Sequence, residues 1–244
     1  ISASLNSIPA RDQDAINNVF SVFALVAEDT HVPPAMFRLL LSAVTGTKRL
    51  VSELQLRKWL QTLINRSLVL NTWERPQLHD IVREYAMSRL SDEDTVRIQR
   101  QVIDTLFDAR PESLRPDLCG LSAWQNQPGN MAAKYVEYDA QHHVRAALEG
   151  VELSSELPPF LSRWLSKYPG SYIDNTTIGC TLMRHITTAL GHERVQMATE
   201  LAKAQQDWWL VAAFAPSKTF NKILAGDGVG DEIIDWAKEV MVPE

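Results

Sequence analysis

The stretch Gln77-Leu78-His79-Asp80-Ile81-Val82-Arg83-Glu84-Tyr85-Ala86 decides the predicted fold, because it joins a hairpin to a helix. Upstream, residues 67–70 are predicted to form a short strand and the polar residues 71–76 a turn. Residues 77–78 form the predicted second strand. The apolar side chains that follow have helical spacing: Ile81, Val82, Tyr85, Ala86 and Leu90. The sequence therefore predicts a β-hairpin that leads directly into an amphipathic helix.

Three amphipathic helices are predicted before this hairpin, at residues 11–27, 35–44 and 51–66. Pro33 and Pro34 separate the first two, and Gly46 ends the second. The third helix has a broad apolar stripe whose predicted buried residues are Leu54, Leu56, Trp59, Leu60, Leu63 and Ile64. Helices followed by a two-stranded wing and a further helix are typical of a winged helix. We assign a winged-helix domain to residues 1–90.

His79 and Asp80 are predicted to lie at the N-terminus of the helix that follows the hairpin. The first N–H groups of a helix have no partner within the helix, and the helix dipole is positive there. Such a helix end favours an anion, including a phosphate group. The alternative is structural: Asp80 would stabilise the helix end through the dipole, and His79 would contact no ligand. The tripeptide alone leaves both interpretations open.

In this position, Leu78-His79-Asp80 resembles the MHD-type motif of the NB-ARC signalling ATPases, which belong to the STAND class. Two further segments are similar to that family. Residues 18–33 resemble its opening helix and the F-x-E-D-x-x-I/V-P sequence that follows, with Val26 in place of the phenylalanine. Residues 60–70 resemble the L-x-x-L-x-x-R-S-L-V/L run that leads into the wing.

The resemblance implies that the chain is the winged-helix and helical part of a STAND-type ATPase. The nucleotide-binding domain would lie upstream of Ile1, and sensor repeats would follow Glu244. In that family the histidine contacts the β-phosphate of ADP, which implies that His79 binds ADP in the full-length protein. The region would act as a switch that closes over ADP in the resting state. Exchange for ATP would release it and permit self-association into an oligomer.

Residues 91–244 are predicted to form an all-helical domain, a bundle or an irregular α-repeat. Ser91 is a good N-cap, and acidic residues fill the first turn after it. Further helices are predicted at residues 130–148, 158–168, 175–190, 193–213, 217–225 and 231–240. Tyr138 and His142 follow Trp124 and resemble the Tyr-x-x-x-His helix of the family's helical domain. The fold class is therefore mainly α.

Several classes of function are not expected for this chain. The Gly-x-x-x-x-Gly-Lys-Ser/Thr phosphate loop is absent from the sequence, so we predict no ATP hydrolysis by the chain alone. Cys119 and Cys180 follow no metal-binding spacing, and His142 and His143 point roughly 100° apart on a helix, so no metal site is predicted. Unpatterned cysteines, with no long apolar run and no signal peptide, predict a cytoplasmic protein without membrane contact.

The alternative function is a winged-helix transcription regulator that binds DNA and whose helical half binds an effector or dimerises. The predicted third helix exposes polar side chains that can read bases, namely Glu53, Gln55, Arg57, Lys58, Gln61 and Asn65. A DNA-binding domain usually has a basic face, whereas the formal net charge here is −6. The predicted wing offers Arg75 beside Glu74. We therefore predict no nucleic-acid partner.

Overall fold

The computed structural model describes residues 1–108, 131–152, 158–164, 181–191, 194–195 and 197–198 of the 244-residue chain. In order, the helices and strands with defined bounds are α1 (Ser2–Asn6), α2 (Ala10–Leu25), α3 (Pro34–Thr45), α4 (Glu53–Ile64), β1 (Leu70–Thr72), β2 (Arg75–Gln77), α5 (Asp80–Met87), α6 (Asp92–Asp108), α7 (Met131–Tyr138) and α8 (Ala140–Ala147). Residues 159–164 and 181–191 are also helical. The prediction of a mainly α fold is confirmed.

Left-handed residues end both α3 and the turn after α4. Gly46 has φ 66°, and the N–H of Thr47 bonds back to the carbonyl of Ser42 at 3.1 Å. Ser67 has φ 56°, and the N–H of Leu68 bonds to the carbonyl of Leu63 at 3.0 Å. Both closures satisfy carbonyl groups that a helix end leaves unpaired. Because Ser67 belongs to a helix end, the strand predicted at residues 67–70 is wrong, and β1 starts at Leu70.

Strands β1 and β2 form an antiparallel hairpin in which Leu70 pairs with Gln77, and Thr72 with Arg75. Only Trp73 and Glu74 lie between the closing pair, so the turn predicted at residues 71–76 is too long. Pro76 lies within β2, and the second strand predicted at residues 77–78 is displaced. A proline is tolerated in an edge strand, where its missing N–H leaves no neighbour unpaired.

A single hydrophobic core runs from α1 to the helical residues 181–191. Its largest fully buried side chains include Phe20, Phe37, Leu60, Ile103 and Trp164. Helix α6 packs against both α3 and α8. The core is therefore continuous across the boundary predicted between residues 90 and 91, and the division into two domains stays a prediction.

The N-cap predicted at Ser91 is confirmed by hydrogen bonds at the start of α6. The hydroxyl of Ser91 accepts the N–H of Asp94 at 3.0 Å and donates to the Asp94 carboxylate at 2.8 Å. A second cap is formed by Ser52, whose hydroxyl accepts the N–H of Gln55 at 3.2 Å. In each cap the serine hydroxyl accepts one of the N–H groups that the first turn of a helix leaves free.

Two predicted core positions are wrong, and one predicted helix is broken. Leu54 is 64% exposed, because it lies on the side of α4 opposite Leu56, Leu60 and Leu63. Ile81 is 65% exposed, since Val82 and Ala86 define the buried side of α5. The helix predicted at residues 130–148 breaks at Asp139 into α7 and α8, which leaves Tyr138 69% exposed.

Within the described residues, no helix is long and apolar enough to cross a membrane.

Candidate functional site around His79 and the end of helix α2

His79 is the N-cap residue of α5, and its side chain is exposed. Its extended backbone, with φ −72° and ψ 145°, places its carbonyl to accept the N–H groups of Val82 at 2.8 Å and Arg83 at 2.9 Å. The imidazole makes no capping hydrogen bond to the helix. Asp80, the first residue of the helix, is also exposed. His79 therefore lies at a helix N-terminus, the position predicted from the sequence, and its side chain is exposed.

The hairpin brings the turn after α2 next to the segment that carries His79. The amide nitrogen of Gln77 donates to the carboxylate of Asp29 at 3.1 Å, and Asn71 donates to the amide oxygen of Gln77 at 3.2 Å. Arg75 lies close enough to His31 to lower the pKa of that imidazole, an effect second to partial burial. The turn that contains Asp29 and His31 therefore lies beside strand β2, which leads directly into residues 78–80.

Helix α5 is attached to α1 and α2 by three side chains. The guanidinium of Arg83 donates to the carbonyl of Val26 at 3.0 Å, and that of Arg89 to the amide oxygen of Asn17 at 3.2 Å. The hydroxyl of Tyr85 lies 2.9 Å from that of Ser2. These contacts fix the orientation of α5, and therefore the direction in which its N-terminus points.

A fully buried polar network lies beneath the site and joins α2 to α6, α7 and α8. The amide nitrogen of Gln99 donates to the carbonyl of Leu25 at 2.8 Å, which makes its amide oxygen the acceptor for Nδ1 of His143 at 2.7 Å. The imidazole is then protonated on Nδ1, so Nε2 accepts the hydroxyl proton of Tyr135 at 2.7 Å. Burial, together with nearby His142, lowers the pKa of His143 to about 3. His143 is therefore neutral at physiological pH, and this assignment satisfies both of its nitrogens.

The carbonyl groups at the C-terminus of α2 are bound by side chains from two later helices, α5 and α6. Arg83 of α5 bonds to Val26, and Gln99 of α6 bonds to Leu25. The imidazole of His142 on α8 lies near the backbone of Leu25. Burial, followed by the positive charge of Arg83, lowers the pKa of His142, and the nearby backbone of Leu25 opposes that lowering. A helix end has unpaired carbonyls, and here they bind α5 and α6 directly, while α8 is linked to them through the bond between His143 and Gln99.

This network is not predicted from the sequence, in which Tyr138 and His142 are noted only for their resemblance to the Tyr-x-x-x-His helix. The structure buries Tyr135 and His143 instead. The sequence does contain one signal for the network. Gln99 has the i, i+3, i+4, i+7 spacing with Val102, Ile103 and Leu106, so a polar residue lies on the apolar side of this helix. A polar side chain in such a stripe indicates a buried hydrogen-bonding partner.

Some predicted features lie outside the described residues, namely Cys119, Trp124 and Cys180. In the part of the chain that the structure describes, no group of three His, Cys, Asp or Glu side chains is arranged to hold a metal ion. Comparisons with known protein families, with curated proteins and with solved structures found no match to this chain.

Proposed function

We propose that residues 1–90 are the winged helix of a STAND-type signalling ATPase and that the helical region after them is part of the same nucleotide-dependent switch. The single observation that carries the proposal is His79. Its imidazole is exposed, makes no bond to its own helix and stands at the N-cap of α5, directly after the hairpin β1–β2. The hairpin would be the wing of the domain.

The chemistry of this position suits a phosphate group. An imidazole N–H can donate to a phosphate oxygen, and the oxygen's charge strengthens the bond. The positive end of the α5 dipole favours the same charge. Asp80 carries a negative charge in the first turn, where it stabilises the helix end; we assign it no contact with the nucleotide. His79 would therefore bind ADP held by a nucleotide-binding domain of the full-length protein.

The contacts of α5 suggest how a nucleotide would control the rest of the region. Arg83 ties α5 to the end of α2, Gln99 ties α6 to the same end, and His143 ties α8 to Gln99. A rotation of α5 away from the nucleotide would carry these helices with it as one body. Exchange of ADP for ATP would release the winged helix from the nucleotide and expose the surface for self-association. The sensor repeats would shift the equilibrium between the resting and the active state. The chain alone would have no catalytic activity.

The test of this proposal is the nucleotide preference of the full-length protein. Purified protein should bind ADP tightly, remain monomeric with ADP, and assemble into oligomers with a non-hydrolysable ATP analogue. Nucleotide content by chromatography and mass by light scattering measure both properties. Absence of any nucleotide binding by the full-length protein would refute the proposal.

A second candidate function, DNA binding, is favoured by the charge of residues 48–75. This segment contains Lys48, Arg49, Arg57, Lys58, Arg66 and Arg75 against Glu53 and Glu74. Arg57 of α4 lies over the ring of Trp73, 5.2 Å from its centroid, so the helix and the hairpin present one surface. Against this, Arg66 points to α1 and donates to Ser7. Binding to duplex DNA at low salt distinguishes the two candidates.

A further inference from the structure

A groove of about 790 Å³ lies between α6 and residues 149, 150, 160 and 163. It is lined by the apolar side chains of Val96 and Phe160 and by three arginines, Arg97, Arg100 and Arg163. The volume falls within the range of roughly 300–1,000 Å³ that is usual for small-molecule sites. The proposed role of His79 does not involve this groove.

Arg100 is held in place by a hydrogen bond and by a contact between its guanidinium group and an aromatic ring. Nε donates to the carbonyl of Ala147 at 3.1 Å, and the guanidinium carbon lies 4.1 Å from the centroid of the Phe160 ring. Partial burial lowers its pKa, although an arginine stays charged at any physiological pH. Only Nε is used by the bond to Ala147, so the two terminal nitrogens are left to bind another group.

Arg100 differs from the other arginines of the groove in its partners. Arg97 pairs with Asp94, and Arg163 pairs with Asp104. Among the described residues, no carboxylate forms an ion pair with Arg100. A cation that is partly desolvated and rigidly oriented favours an anionic ligand, because it loses little conformational freedom when the ligand binds.

We propose that this groove binds a small molecule through a carboxylate group, with Arg100 as its bidentate partner. The lining also contains four carboxylates, Asp92, Glu93, Asp104 and Glu149, against the three arginines. This balance repels a dianion such as phosphate more strongly than a monoanion. Val96 and Phe160 provide contact for an apolar or aromatic part of the ligand. The favoured ligand is therefore a monocarboxylate with an apolar body.

Benzoate and its neutral analogue benzamide test the proposal on the 244-residue chain by NMR titration at constant ionic strength. Benzoate should bind saturably. Benzamide should bind at least about tenfold more weakly, because it cannot form the charge-assisted hydrogen bond. Inorganic phosphate should also bind at least about tenfold more weakly, because its second charge adds repulsion. Arg100→Gln should weaken benzoate binding by about tenfold or more, whereas Arg184→Gln, on an exposed arginine away from the groove, should leave it unchanged. No saturable binding of benzoate, or equal binding of benzamide, would overturn the proposal.

Arg100→Lys serves as the second variant if Arg100→Gln does not fold. It keeps the positive charge but loses the planar fork and the bond to Ala147. Benzoate affinity should fall at least about threefold, because a point charge does not match both carboxylate oxygens. Unchanged affinity in this variant would show that Arg100 does not bind the carboxylate.

Discussion

The amide oxygen of Gln99 lies 2.7 Å from Nδ1 of His143, across the contact between helices α6 and α8. The amide nitrogen of the same side chain donates to the carbonyl of Leu25 at the end of α2. One buried glutamine thus joins three helices, and both of its polar atoms have partners. A fully satisfied buried network fixes one arrangement of the helices, because any other arrangement leaves a polar group unpaired.

Gln99→Ala should destabilise the protein strongly. It leaves the Leu25 carbonyl and Nδ1–H of His143 without partners, and each buried unsatisfied group costs about 1–3 kcal/mol. The expected loss in free energy of unfolding is therefore about 2–6 kcal/mol, measured by urea denaturation. Gln101→Ala is the matched control, because the amide oxygen of Gln101 has no hydrogen-bond partner in the described residues. A loss below about 1 kcal/mol for Gln99→Ala would contradict the network.

The burial of neutral His143 predicts acid sensitivity. Its pKa is about 3 in the folded protein and about 6.5 in the unfolded chain, so the unfolded state binds the extra proton between these values. Stability should therefore fall as pH drops below about 6.5, by up to about 1.4 kcal/mol per pH unit from this residue. Urea denaturation at several pH values from 7.5 to 5.0 gives the free energy of unfolding as a function of pH. This free energy should fall less steeply with decreasing pH for His143→Gln than for the wild type. The other histidines are common to both proteins, so equal slopes would contradict the assignment.

Helix α4 offers a matched pair of leucines for testing its orientation. Leu63→Ala should cost about 2–5 kcal/mol, because the side chain is fully buried in the core. Leu54→Ala should change stability by less than about 0.5 kcal/mol, since that side chain is 64% exposed. Chemical denaturation of both variants measures the difference. Equal effects would mean that the helix faces the core differently.

The sequence predicts the helices better than the details around them. The ends at Gly46 and Ser91 follow from local rules that involve only neighbouring residues, and both are confirmed. The start of β1 was missed because a left-handed Ser67 is not distinguished by residue type, as a glycine would be. Burial of Leu54 and Ile81 was overestimated because apolarity does not show which side of a helix meets a neighbour.

The sequence predicts one part of the candidate site and not the other. The position of His79 at a helix N-terminus could be predicted, because hairpin and helix are adjacent in the chain. The contacts of Gln77 with Asp29 and of Gln99 with His143 join residues that are 48 and 44 positions apart. Such pairs depend on how the helices pack, which a single sequence does not reveal.

We predict that the chain does not bind duplex DNA specifically at physiological salt. The basic side chains of residues 48–75 are opposed by the overall negative charge, and Arg66 is directed to α1. Fluorescence anisotropy with a panel of labelled duplexes should show only weak binding that disappears as salt is raised. Sequence-dependent affinity at 150 mM salt, reduced by Arg57→Ala and Lys58→Ala, would favour the transcription regulator instead.

The measurement that tests the central claim most directly is the ADP affinity of the full-length protein with and without the imidazole of His79. A charge-assisted hydrogen bond contributes about 1.5–3 kcal/mol, so His79→Ala should weaken ADP binding roughly tenfold to a hundredfold, and ATP binding less. The variant should also self-associate without a ligand, because the ADP-bound resting state loses its advantage. Asp80→Ala should act more mildly, through the helix end, and Glu84→Ala, exposed on the same helix, is the control. Calorimetric titration should show this selective loss for His79→Ala. ADP affinity and resting oligomeric state equal to those of the wild type would show that His79 is only a helix-end residue.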